Sequence, residues 1–420
     1  MGAGSTQRRV RAVVPALLAA TVLVLSACSG GSSNSAADTA DTTAALGTPD
    51  KATGTPVTLG MISDGKGTAI DQSAEIQGAQ AAVGYINDYL GGLGGHPIDL
   101  KVCETKNSPA QATDCANQMV SAKVSGVVAG TLAEADQVIS VLSAAKIPAF
   151  FSQAASKLGL STPGVFSMTN AINYFSTPAA YAKQQGYQKA TMVVIDVPGA
   201  SGPAKQIGTL LFGNAKIAYN VVPIAPGTAD MTPQIQAAEG DSPQMYVLLG
   251  DATFCSSAIK ALRTLGVNAT IAASETCVSK DASASIPGGY QGVKVIASLE
   301  FNADDPEYKT FKAALARYGG GTAPASIPGI GYTVTLALAR AANAAKIQDT
   351  SAAGLLAAVQ SAPPVPYPLN GGATFQCNGK AVSLSPNICS ANGIIADAAD
   401  DGSLSNYQVV QASELFKTGG

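Results

Sequence analysis

Apolar and polar positions in this chain fall into two repeating periods, and the first pair of elements sets the pattern. Residues 57–62 (Val-Thr-Leu-Gly-Met-Ile) form a short apolar run bounded by turn residues, which predicts a buried strand. A polar loop follows, Ser63-Asp64-Gly65-Lys66-Gly67-Thr68. Next, Ile76, Ala79, Val83, Ile86 and Leu90 recur at spacings of 3, 4, 3 and 4, one face of a helix, with Asp71 as its expected N-cap. Strand, loop and helix make the first half of a βαβ unit. The loop lies at the carboxyl end of its strand, where open α/β sheets place ligands.

The same alternation runs on. Strands are expected at 98–102, 124–129 and 147–151, with helices between them, one opened by Ser108-Pro109 in the N-cap and first-turn positions those residues favour. Residues 131–134 and 152–156 are the polar ends of the later strands. The pattern repeats with strands at 189–195, 244–249 and 270–273, a helix at 256–265 between the last two, and polar ends at 196–199, 250–254 and 274–277. Helices are expected at 308–318, 331–345 and 352–361, and a closing hairpin at 393–396 and 407–410. Two parallel, doubly wound α/β halves follow from this order.

Composition changes the picture mainly at the amino end. Arg8, Arg9 and Arg11 precede an apolar run over 13–25 that ends in Leu25-Ser26-Ala27-Cys28. A basic region, a short apolar core and small residues read as a secretory signal, 1–27; the run is shorter than the roughly 20 residues of a spanning helix. Leu-Ser-Ala-Cys resembles a bacterial lipobox, with Cys28 as the lipidated first residue of the mature chain; ordinary signal cleavage is the alternative. Residues 28–55 are poor in bulky apolar side chains and are expected to be a disordered tether. Six further cysteines fall into sequence-local couples. The expected bridges are Cys103–Cys115, Cys255–Cys277 and Cys377–Cys389, as suits an oxidising compartment. Removing the three arginines of 1–27 takes the net charge from −3 to −6, and an acidic chain without a basic stripe does not bind nucleic acid.

Catalytic chemistry finds few parts. There is one histidine, His96, and no H-E-x-x-H or G-x-S-x-G, so an enzyme is not expected. Gly65-Lys66-Gly67-Thr68 lacks P-loop spacing, and no C-x-x-C offers a zinc site. No metal or cofactor is expected.

Two α/β halves behind a lipobox and tether resemble the solute-binding lipoproteins of ABC importers, type I, branched-chain amino-acid-binding class. Ile76-Gln77-Gly78-Ala79 and Tyr85-Ile86-Asn87 are similar to that family's opening, and the likeness covers most of 57–415. The resemblance implies two Rossmann-like lobes joined by three hinge crossovers, near Thr169–Asn173, Ala297–Phe301 and Gly393–Ile395. Lobe 1 is then 57–171 plus 301–393, and lobe 2 is 172–300 plus 394–420. It also implies closure over a small ligand, ABC permease subunits as partners, and a monomer tethered to the extracytoplasmic face of the cell membrane.

Carried over residue by residue, Ser156 matches a family hydroxyl that holds the ligand's carboxylate, while Ala133 stands where a second serine is expected. Glu275 matches the acid that meets the ligand's ammonium. Asp71 replaces an aromatic near helix 1, and Ala252 or Thr253 replaces another, beside Phe254. The expected ligand-binding set is Ser63, Lys66, Thr131, Ala133, Ser152, Gln153, Ala154, Ser156, Tyr174, Asp251, Thr253 and Glu275. The expected ligand is an amino acid or a related amine or carboxylate. A ligand-sensing or structural cell-surface lipoprotein of the same fold is the alternative.

Overall fold

The structure is a computed structural model and describes Met1 and residues 44–67 and 71–417. Residues 2–27 of the expected signal segment, Cys28 and residues 29–43 lie outside the described residues.

Five strands, β1 (Val57–Ser63), β2 (Ile98–Glu104), β3 (Val127–Ala129), β4 (Ala149–Phe151) and β5 (Val165–Ser167), form one parallel sheet in the order β2-β1-β3-β4-β5. A second sheet uses β6 (Lys189–Ile195), β7 (Ala218–Ile224), β8 (Met245–Leu249), β9 (Thr270–Ser274), β10 (Lys294–Ala297), β11 (Asn392–Ala398) and β12 (Leu404–Gln411). Its order is β12-β11-β10-β9-β8-β6-β7. Its first five strands in sequence are parallel and repeat the order of the first sheet. The β11–β12 hairpin adds antiparallel to β10 at one edge. In each half the order reverses beside the first strand, at β1/β3 and at β6/β8, which creates a crevice outside the strand ends.

Both faces of both sheets are covered, as parallel sheets require. Leu59 and Met61 of β1 bury toward α1 (Ser73–Tyr89), α7 (Pro306–Tyr318) and α8 (Ser326–Ala344), while Ile62 packs on the opposite side with α2 (Pro109–Ser121) and α3 (Ala135–Ala144). In the second sheet Met192 and Val194 face the layer of α5 (Asn173–Gln184), and Val193 and Leu248 face α6 (Ala252–Thr264). The helices α1 and α8 meet through glycines. A Cβ on Gly78 would overlap the carbonyl of Pro328, and one on Gly331 would overlap that of Glu75.

All three expected disulfides are present. Cys103–Cys115 ties β2 to α2, and Cys255–Cys277 ties α6 to the turn after β9.

Three local expectations change. Residues 44–55 do not behave as free tether. Leu46 and Ala52 are buried, Asp50 and Ala52 donate N–H to the carbonyls of Asp88 and Asn87, and Gly91 N–H donates back to Asp50. Thr310 Oγ1 also donates to Ala45 O at 3.0 Å. Backbone hydrogen bonds hold this strap to the first lobe, so its lack of bulky side chains was a poor guide. The passages between sheets follow β5, follow β10 and precede β11. The third passage therefore ends just before the expected Gly393–Ile395, which lie inside β11 and pair with β12. Asp71 sits two residues before α1, where its carboxylate accepts from Ser73 N–H at 2.9 Å; the cap position itself is Gln72.

Candidate functional site

At the reversal of the first sheet, β1 delivers two buried polar residues. Asp64 accepts from Thr105 Oγ1 at 2.5 Å and from Ala133 N–H at 2.9 Å, so one carboxylate fastens the loops after β1, β2 and β3 together. Ser63 donates to Glu75 Oε2 at 2.5 Å and accepts from Gly65 N–H at 3.2 Å. Glu75, in the first turn of α1, is 2% exposed, and its Oε1 has no partner among the described residues. Gly130 makes room for it, since a Cβ there would overlap Oε1. Burial pushes the Glu75 carboxyl up to about 8, opposed by the Ser63 hydrogen bond and reinforced by the Asp64 carboxylate.

The neighbouring loops carry other expected residues, used in several ways. Ala133 contributes its backbone N–H to Asp64, and Thr131 is exposed beside it. Ser152 is buried at the end of β4, where its carbonyl accepts from Thr169 N–H at 3.1 Å and Oγ1 at 2.7 Å, tying this loop to the first passage. Gln153 is partly buried, and Ala154 N–H donates to Ser167 Oγ at 3.1 Å. Ser156 caps α4 (Lys157–Ser161) by accepting from Gly159 N–H at 3.1 Å, so its hydroxyl is already engaged. Lys66 is exposed, its N–H 3.4 Å from Glu104 Oε2.

In the second lobe Asp251 is the N-cap of α6, accepting from Phe254 N–H at 2.9 Å, and Thr253 is exposed on the first turn. Thr276 Oγ1 donates to Gly250 O at 2.7 Å, so the loops after β8 and β9 are joined by a hydrogen bond as well as by Cys255–Cys277. Glu275 follows β9. Its Oε2 accepts from Ser298 N–H at 2.9 Å; its Oε1 accepts from Tyr174 O–H at 3.3 Å and from Ser298 Oγ. Among the expected residues, the fold thus brings Tyr174 onto Glu275 and Ala133 onto the loop of Ser63. Burial pushes the Tyr174 phenol well above its usual range, with the Glu275 charge adding to it. Tyr407 on β12 is pushed up to about 12, chiefly by burial, with Glu300, Tyr308 and Glu275 contributing.

Sequence reasoning missed Asp64, Glu75 and Ser298. Asp64 stands in the first polar loop, where nothing local marks it out from its neighbours, since its partners Thr105 and Ala133 are distant in sequence. Glu75 precedes the apolar face that begins at Ile76, and the space it fills is left by Gly130, far along the chain. Ser298 directly follows β10, a strand of four residues, which carries too little pattern to mark its end.

Two concavities, of about 280 Å³ beside Phe166 and Asn387 and about 470 Å³ beside Asp50 and Asn343, are lined by residues just before β5 and β2, away from these strand ends.

The description "periplasmic binding protein" belongs to the family model that matches residues 56–385. No curated protein matches the sequence. Among solved structures, an ABC transporter substrate-binding protein from Sphaerobacter thermophilus superposes with a TM-score of 0.65 at 19% identity, covering 85% of this chain and 96% of its own. A branched-chain amino acid transporter substrate-binding protein from Streptococcus pneumoniae, in complex with isoleucine, gives 0.61 at 18%, with 84% and 99% covered. A solute-binding protein of an ABC transporter from R. palustris, in complex with 4-hydroxybenzoate, gives 0.62 at 18%, with 85% and 97% covered.

Proposed function

We propose, from the premise that the chain belongs to the periplasmic binding protein family, that it captures a small ligand bearing both an amine and a carboxylate. Proteins of this type bind solutes for ABC transporters and are not enzymes. The ligand class is this chain's own question, since similar folds hold isoleucine in one protein and 4-hydroxybenzoate in another.

The observation that carries the reading is the Glu275 carboxylate, oriented by Tyr174 and Ser298 at a strand end. An oriented carboxylate there favours a cationic group by charge-assisted hydrogen bonding. The ligand's own carboxylate would meet hydroxyls and free N–H groups of the loops after β3 and β4, Thr131 and Gln153 among them. Ser63, Lys66, Ala133, Ser152, Ala154, Ser156, Asp251 and Thr253 shape the two walls. Closure of the lobes would follow movement at the three passages, and the protein would act as a monomer held to the membrane by lipid on Cys28.

A thermal-shift series on the mature protein tests this, because a ligand that binds only the folded state raises its stability by mass action. Isoleucine and related amino acids are expected to raise the melting temperature, and Glu275→Gln to weaken that response at least tenfold. A shift with 4-hydroxybenzoate and none with any amino acid would overturn the amine reading. Loss of lipid labelling in Cys28→Ala checks the anchor.

A further inference from the structure

A carboxylate offers about four acceptor positions, and Glu275 spends three of them on groups of the passages between lobes. Ser298 is the first residue after β10, where the chain leaves the second sheet, and it supplies both its N–H and its hydroxyl. Tyr174 lies in the first turn of α5, directly after the first passage, and supplies its O–H. Among the described residues the remaining position is on Oε2, shared with the Ser298 N–H. The base of Glu275 is itself fastened, by Cys255–Cys277 and by Thr276 to Gly250.

We propose that Ser298 is the positioning residue for the Glu275 carboxylate, and that with Tyr174 it fastens the ligand-side loop of lobe 2 to two of the three passages. The inference rests on the reading of Glu275 as the ammonium acceptor, and adds to it. A cation arriving at the open position of Oε2 shares that oxygen with the N–H of a crossover residue. Recognition and lobe movement then act through the same carboxylate. The ligand class this suits is one that presents a single N–H donor to Glu275 and takes its other hydrogen bonds elsewhere.

Two measurements on the mature protein test it. The first needs no ligand: amide hydrogen exchange across 169–173 and 297–301. Glu275→Ala is expected to speed exchange in both segments by about tenfold or more, although only one of them holds an amide bonded to Glu275. Unchanged exchange at 169–173 overturns the proposal. Should Glu275→Ala fail to fold, Tyr174→Phe, which removes one hydroxyl, decides the same point by faster exchange at 169–173.

The second uses isoleucine as probe. Ser298→Ala is expected to weaken its binding about tenfold, the loss of one charge-assisted hydrogen bond, and Ser298→Thr to restore it. Wild-type affinity in Ser298→Ala overturns the positioning role. If the wild-type protein binds neither isoleucine nor any other amino acid, the amine reading of the preceding section fails by itself, and the exchange measurement still decides whether Glu275 fastens the passages.

Discussion

Glu75 and Glu275 stand at the mouths of the two lobes, and their surroundings treat them oppositely. Glu275 receives three donors; Glu75 receives one from Ser63, beside the Asp64 carboxylate, in a space left by Gly130. Burial is the dominant effect on Glu75, raising its carboxyl from an ordinary 4.5 to about 8. The folded chain therefore keeps a proton through that window which the unfolded chain has released. Stability falls as pH rises across it, by roughly 1.4 kcal/mol per pH unit from this group. Glu75→Gln keeps the shape without the titration, so melting curves between pH 5 and 9 are expected to lose that slope. An identical slope in the variant means Glu75 is ionised in the folded chain at neutral pH.

Among elements, the α1–α8 contact is the tightest in its dependence on sequence. Alanine is favoured over glycine inside a helix by about 1 kcal/mol, yet Gly331→Ala would drive a methyl into the Glu75 carbonyl. The steric term wins, and a net loss of about 2 kcal/mol is expected in urea unfolding; a stabilised variant would show that the helices can separate freely. The strap is the second case. Leu46→Asp would bury a charge where Leu46 now packs at 4% exposure, and a loss of about 2 kcal/mol is expected in the same unfolding measurement. Wild-type stability would mean the strap is not docked in solution.

These elements also show what could be read beforehand. The strand β8 was legible as an unbroken apolar run, β1 and β6 as mainly apolar runs interrupted by Thr58, Gly60 and Thr191, and α1 because its apolar face is periodic. The strands β5 and β10 span three and four residues, too few to show a period. The strand β7 lies at a sheet edge, mostly half-exposed, with Pro223 inside it, as edge strands allow. Of the candidate site, the strand ends were legible, and so was the place of Glu275 directly after β9. Its internal wiring was not, because Ser63 with Glu75, Asp64 with Ala133 and Glu275 with Ser298 meet only through the fold.

At the scale of the molecule, the chain builds the same strand order twice and then returns to finish both halves. The last residues of α8 show how far it returns: Asn343 accepts from Gly94 N–H and donates to Gly92 O across about 250 residues. This has a consequence for synthesis and export. A nascent chain that has made β1 to β5 has α1 but still lacks α7 and α8, two of the three helices that cover one face of that sheet, and it must make the core strands of the other lobe first. The apolar face carried by Leu59 and Met61 therefore stays partly open to water until residue 344 is available. Closing so long a segment costs entropy before any contact repays it. Folding of the first lobe is late even though its sequence comes first, so a chain threading outward with its amino end leading arrives with that lobe unfinished. The arrival of α8, rather than the first strand to form, sets when the face carried by Leu59 and Met61 can be closed.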